Sequence, residues 1–178
     1  TWYLLDQNAA VVEQLEWEID NALGGRVPGV EDFSRLPYTD KVIQEAMRLY
    51  PSAWSISRRA LGDDDIDGYF IPANSIVAMS PYTMHRHPAF WDDPNRFDPE
   101  RFTPEKIAAR PRFAYFPFGG GARQCIGYNF ALMESMIIIP AIAGRFRLRR
   151  VSDEPVEEHA LVTLRPRNGV LVNVENRC

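Results

Sequence analysis

From residue 88 to residue 117 the chain meets a proline every five to seven residues: Pro88, Pro94, Pro99, Pro104, Pro111 and Pro117. Each proline lacks a backbone N–H and has a fixed φ, so it fits neither a helix interior nor a central strand. This segment is therefore barred from long regular structure. A stretch of that length without periodicity is either disordered, or functional and held by side chains. Its aromatic residues, among them Phe90, Trp91, Phe97, Phe102 and Tyr115, predict a packed coil.

Regular structure has to come from either side. Residues 1–6 are apolar and read as helix. Ala9 to Leu23 carries apolar residues at Val11, Val12, Leu15, Ile19, Ala22 and Leu23, an amphipathic helix ended by Gly24 and Gly25. Residues 26–37 read as a loop or short turn. Tyr38 to Tyr50 reads as a second helix, stopped by Pro51. Residues 65–80 read as two short strands around a Pro72-Ala73-Asn74 turn. A last helix is expected from about Gly127 to Ala143, with Pro140 set to kink or end it. Three short strands are expected between 145 and 175. The fold class is mainly α with small β-sheets, an α+β arrangement in one unit spanning 1–178.

The chain is 46% hydrophobic and 25% charged, which supports a globular core. A net charge of −4 gives no electrostatic footprint for nucleic acid or an anionic membrane. No apolar run approaches the roughly 20 residues of a membrane span. Two cysteines, Cys125 and Cys178, make no disulfide framework and point to a reducing, cytoplasmic setting.

Cys125 stands where the proline-rich coil meets the last helix, in FPFGGGARQCIGYNFALMES (116–135). A helix start offers unpaired N–H groups and a positive dipole end, which favour a thiolate, and Arg123 adds a charge. Gly119, Gly120, Gly121 and Gly127 let the backbone turn and approach something flat without a Cβ in the way. Several readings compete. A lone cysteine before an apolar helix is most often a small buried hydrophobe. A nucleophile needs a base, and His85, His87 and His159 are all distant in sequence. Zinc needs more ligands than the chain offers. A haem iron needs only one protein ligand on this side, because the porphyrin supplies four nitrogens.

Phe118, Gly121, Arg123, Cys125 and Gly127 spell F-x-x-G-x-R-x-C-x-G, which resembles the haem-binding signature of the cytochromes P450. Ala131 falls where that family often has alanine. The resemblance implies that Cys125 is the axial ligand of haem b (iron protoporphyrin IX). It implies that Phe118 and Gly119 lie near it and that Arg123 reaches a propionate. Two further motifs resemble the family. Glu45 and Arg48, in EAMRLYP, match its helix K E-x-x-R, and Arg101, in FDPERF, matches the arginine that joins them in a buried network. Burying two positive charges and one negative is costly unless every donor is used. By position, Arg58 falls on a second propionate-binding arginine, while Arg59 is expected to face solvent. Ala53, Trp54, Ser55 and Ile56, with Leu161 and Val162, fall on segments that line the family's substrate pocket. His85 is expected to be structural.

The match corresponds to the family's C-terminal part, from the end of helix I through helices J, K and L. Helix I residues that deliver protons to oxygen lie outside it, so no catalytic residue is assigned here. The resemblance implies a monooxygenase acting on a small apolar substrate with O2. Its electrons would come from a ferredoxin, flavodoxin or reductase. This piece alone is expected to be inactive. Peroxide-driven or isomerising haem-thiolate chemistry, or an inactive haem-binding remnant, are the alternatives. Arg101, Lys106, Arg110, Arg112 and Arg123 are expected to form a basic face for an acidic redox partner.

Overall fold

The computed structural model describes residues 1–177. Cys178 lies outside the described residues. The helices run in chain order as α1 (Trp2–Asp6), α2 (Ala9–Leu23), α3 (Pro37–Leu49), α4 (Pro81–Met84), α5 (Pro104–Ala109) and α6 (Tyr128–Ala143). Four antiparallel strand pairs accompany them. Strand β1 (Ile56–Arg59) pairs with β4 (Ile76–Met79), and β2 (Asp64–Ile66) pairs with β3 (Tyr69–Ile71). Strand β5 (Phe146–Arg150) pairs with β8 (Val172–Asn176), and β6 (Glu158–Ala160) pairs with β7 (Leu164–Pro166).

The core lies where α2, α3 and α6 meet. The stripe predicted on α2 buries Leu15, Ile19, Ala22 and Leu23 against Val42, Ile43 and Leu49 of α3 and Met136, Ile139 and Ala143 of α6. Gly24 ends α2 in the left-handed conformation, at φ 57°, with its N–H on the Asp20 carbonyl oxygen. Glu18 joins the packing to the start of α3. Its buried carboxylate accepts the N–H groups of Tyr38 (2.6 Å) and Thr39 (2.8 Å), donors that a helix start leaves without partners. Two residues earlier on α2, Glu16 accepts two bonds from Arg147 of β5, at 2.8 and 2.6 Å.

Three expectations change. The strands flanking Pro72 do not pair with each other. Asp67 and Gly68, at φ 54° and 84°, make a tighter turn that folds β3 back on β2 and leaves β4 to β1. The run 160–166 is not one strand but the turn and second arm of the β6–β7 hairpin. Pro140 does not stop α6 at its own position. Its ring is buried in the core, the helix runs three residues further, and the Gly144 N–H closes onto the Pro140 oxygen at 2.9 Å.

The proline-rich segment is a folded coil with one short helix, α5, and tight 3-10 turns at Pro99–Phe102 and Arg112–Ala114. Its prolines 99 and 104 occupy first-turn positions, where the missing N–H is no loss. Trp91, Phe97 and Phe102 are buried, so aromatic packing does the work that a backbone ladder would do elsewhere.

Candidate functional site

Beneath the coil, α3 presents Glu45 and Arg48 from one face, both fully buried. Arg48 uses all five of its N–H groups. Nε and Nη2 donate to the Glu45 carboxylate at 2.6 and 2.8 Å. Nη1 donates to the carbonyl oxygens of His85 and Pro94, both at 2.7 Å, and Nη2 also to that of Arg96 at 3.1 Å. One helical side chain thus pins three points of a segment that has few backbone hydrogen bonds of its own. Glu45 also accepts the Asp98 N–H at 2.9 Å. Burial pushes its carboxyl up from the usual range, while Arg48 first and then the Asp98 N–H and Arg101 pull it back.

Arg101 lies beside the pair with its Nε 3.5 Å from Glu45 and its Nη2 donating to the Asp93 oxygen at 2.8 Å. Its Nε has no hydrogen-bond partner, so this arginine is held less completely than Arg48. The Trp91 ring lies against Arg48, 4.9 Å from its guanidinium, and against Arg110, at 3.9 Å. Arg110 also donates to the Arg101 oxygen at 2.6 Å. Arg101 and Arg110 therefore belong to the interior of the coil. Only Lys106, Arg112 and Arg123 of the basic set are exposed.

From the coil the chain enters the cysteine loop. Gly119 and Gly121 sit at φ 72° and 70°, the left-handed region that a side chain would strain. Between them the loop reverses, and the Cys125 N–H returns to the Phe118 oxygen at 3.0 Å. The Phe118 ring meets Tyr128 of α6 edge-on at 4.9 Å. Gly127 precedes α6, and a Cβ there would stand 3.8 Å from the Cys125 sulfur. Ala131 donates its N–H to the Gly127 oxygen at 2.9 Å. Cys125 is exposed, which removes the buried-hydrophobe reading, and no hydrogen bond reaches its sulfur among the described residues. Ile126 and Phe130 beside it are also exposed, at 104% and 63%. An open thiol amid uncovered apolar side chains marks a contact surface.

Gly119, Gly120 and Gly121 form one wall of a cleft of about 610 Å³, within the size range of small-molecule sites. The opposite wall comes from Ile56 and Arg58 of β1, Ala78 and Met79 of β4, and Met84. Phe113 and Phe116 separate it from a second cavity of about 290 Å³ that reaches Phe118, Gln44 and Asp40. In that second cavity burial pushes the Asp40 carboxyl up, partly offset by the Gln44 hydrogen bond. Arg58 is the arginine on the cleft, with Nη1 on the Ser57 oxygen, and Arg59 is exposed and does not line it.

The two segments assigned to a substrate pocket do meet. Trp54 Nε1 donates to the Leu161 oxygen at 2.7 Å, and the Leu164 N–H reaches the Ser52 oxygen at 2.9 Å. Of their residues only Ile56 lines the large cleft. Leu161 and Val162 form the hairpin tip, Val162 at 96% exposure, and Ala53 and Ser55 lie off the cleft. Met84, Phe113 and Phe116 escaped the sequence reading. The aromatic richness of the coil was the only trace of Phe113 and Phe116, and Met84 left none.

The cytochrome P450 family model matches residues 1–173. The chain belongs to the cytochrome P450 family. Cyclooctatin synthase of Streptomyces melanosporofaciens is 40% identical over 163 residues, covering 92% of this chain and 36% of that protein. Pentalenene oxygenase of Streptomyces avermitilis is 36% identical over 166 residues, covering 92% and 37%. The crystal structure of the cytochrome P450DA haem domain superposes with a TM-score of 0.92 at 33% identity, over 99% of this chain and 39% of that one. The chain thus spans under two-fifths of the P450 relatives it matches.

Membership of the P450 family implies a haem, and the residues present fit one. A flat apolar ring system needs an apolar cleft with backbone exposed on one side, and the glycine wall at positive φ provides it. Its acidic edge needs a cation, and Arg58 stands on the cleft. Its iron needs a soft, unencumbered ligand, and the Cys125 sulfur is exposed without a hydrogen bond. Among the described residues no cluster of His, Cys, Asp and Glu could hold a metal ion by itself, and no helix is long and apolar enough to cross a membrane.

Proposed function

We propose that this chain is the haem-ligating part of a P450 monooxygenase, with Cys125 as the axial thiolate. The observation that carries the reading is an exposed cysteine in the loop whose glycines wall an apolar cleft, in a chain of this family. The group that membership of the family implies is haem b. Arg58 and Arg123 would hold its propionates by charge-assisted hydrogen bonds, and the lack of side chains at Gly119, Gly121 and Gly127 would leave room for it. Phe118 flanks the sulfur, and Ala131 keeps the first turn of α6 slim. Glu45, Arg48 and Arg101 fix the coil that carries the loop.

With haem bound, the iron supplies O2 reduction: one oxygen atom enters the substrate and the other leaves as water, at a cost of two electrons and two protons. The protein's part is to present the sulfur, exclude water from the apolar cleft and orient the substrate. The substrate is a small apolar molecule, which Ile56 and Met79 suit. A relative named pentalenene oxygenase supports that class. Electrons arrive from a ferredoxin, flavodoxin or reductase. We infer that this chain by itself does not turn over.

The test is the carbon monoxide difference spectrum of the reduced, haem-loaded protein. A red-shifted Soret band is expected from the unsubstituted chain and is lost in Cys125→Ser. Persistence of the shifted band in the serine variant refutes the assignment.

A further inference from the structure

The cysteine loop begins with a hydrogen-bonding problem. Phe116 precedes Pro117, so it is pushed towards extended backbone, and it lies in a coil with no neighbouring strand to take its N–H. An N–H left without a partner in such packing is destabilising. The acceptor is a side chain. His85, fully buried at the end of α4, lies with Nε2 2.9 Å from the Phe116 nitrogen. Its other nitrogen, Nδ1, is 3.3 Å from the carbonyl oxygen of Arg48. Because Nε2 accepts, the single ring proton sits on Nδ1 and is donated to Arg48, an assignment made from the hydrogen bonds on both sides. The rings of Tyr115 and Phe116 enclose the imidazole at 5.0 and 5.5 Å.

We propose that His85 is a positioning residue for the Cys125 loop, transmitting the fixed position of the Glu45–Arg48 pair to the segment that carries the thiol. Arg48 and His85 hold each other twice, side chain to backbone in both directions. His85 then holds Phe116. The Phe116 oxygen accepts the Gly119 N–H at 3.0 Å, which turns the chain, and the Phe118 oxygen accepts the Cys125 N–H at 3.0 Å. Four links thus run from the buried ion pair to the cysteine, and His85 is the side chain that carries them from Arg48 to Phe116, beside a separate tie from the Tyr115 hydroxyl to the Gln44 oxygen of α3 at 3.0 Å. A neutral imidazole suits the position because it offers one donor and one acceptor on opposite edges. The value of the loop rests on the reading of Cys125 given above. The hydrogen-bond chain does not, so the two can fail separately.

Amide hydrogen exchange on the 178-residue chain distinguishes the two edges of the ring. His85→Gln places an amide oxygen near the position of Nε2 and retains the acceptor for Phe116. His85→Asn places an amide NH2 near Nδ1 and retains only the donor to Arg48. Protection of the Phe116, Gly119 and Cys125 amides is expected to fall about tenfold in His85→Asn and to stay near the original in His85→Gln, with α2 amides unaffected in both. Equal loop protection in the two variants, or a fall that α2 shares, overturns the proposal. If either variant fails to fold, the unsubstituted chain decides: a ¹⁵N–¹⁵N coupling across the Phe116–His85 hydrogen bond is expected, and its absence overturns the proposal.

Discussion

Arg48 donates from Nη1 to the backbone oxygen of His85 at 2.7 Å, and the His85 ring faces the backbone oxygen of Arg48 at 3.3 Å. This mutual grip sits under a coil whose prolines deny it a ladder of its own. The charge pair in α3 is therefore a fastening for the coil as well as a pair.

Truncating one member of that fastening strands the other. Arg48→Ala leaves Glu45 buried without its two short hydrogen bonds, and a loss of about 3–5 kcal/mol is expected by urea denaturation. Arg48→Lys falls little short of that, since one ammonium cannot reach the five acceptors the guanidinium serves. Arg101→Met costs less than either, because Arg101 makes one hydrogen bond and leaves Nε unpaired. The double replacement Glu45→Leu with Arg48→Met is expected to be more stable than Arg48→Ala. A double variant that is worse than the single one contradicts this account.

Burial lowers the pKa of His85 to about 3, against an ordinary value of 6.5. The native state therefore keeps the ring neutral while the unfolded chain takes up a proton below pH 6.5. Between about pH 6.5 and pH 3 the unfolded state binds more protons, so stability falls as pH falls, by up to about 1.4 kcal/mol per unit. Above that window the ring adds no pH dependence. Urea midpoints at pH 5 and pH 7 for the original chain and for His85→Gln isolate the effect. The difference between the two proteins should narrow at pH 5, and parallel behaviour would rule out a buried neutral ring.

Arg58 and Arg59 are neighbours with different surroundings. Strand alternation places Arg58 on the cleft with the glycine wall, while Arg59 faces elsewhere. A hydrogen bond to a charged group is worth about 1.5–3 kcal/mol, so Arg58→Ala is expected to weaken haem retention by about tenfold or more. Arg59→Ala is expected to leave it within about twofold. Haem transfer to apomyoglobin measures both, and equal loss rates for the two variants would remove Arg58 from the propionate role.

How much of this was legible in the residues varies with the range of the interaction. The α2 stripe and its glycine stop were readable because they are local. The i, i+3 spacing of Glu45 and Arg48 was enough to set them side by side. The strand partners around Pro72 were misjudged, because Asp67 in a left-handed turn competes with Pro-Ala-Asn and a single sequence does not rank the two. The links from Arg48 to His85 and from His85 to Phe116 cross 37 and 31 residues, and no periodicity encodes such distances. The cleft escaped notice for the same reason: its walls come from β1, β4 and the glycine loop, each unremarkable alone. Arg110 was placed with the surface charges because composition does not reveal that Trp91 lies 3.9 Å beneath it.

That last correction reshapes the test of electron-donor docking. Arg110 stacks on Trp91 and Phe102 and donates to the Arg101 oxygen, so reversing its charge breaks the coil as well as the surface field. Lys106 and Arg112 are exposed, and single surface changes of that kind shift stability by only about 0.5 kcal/mol. In haem-loaded protein, Lys106→Glu with Arg112→Glu is expected to slow reduction by an acidic ferredoxin severalfold at low salt. The gap should close as ionic strength rises and the Debye length shortens to a few ångström. Arg110→Glu is expected to lower the urea midpoint as well, and at all salt concentrations. Stopped-flow reduction across a salt series separates the two behaviours. Reduction by the Lys106, Arg112 double variant at the original rate and with the original salt slope would show that the donor docks elsewhere.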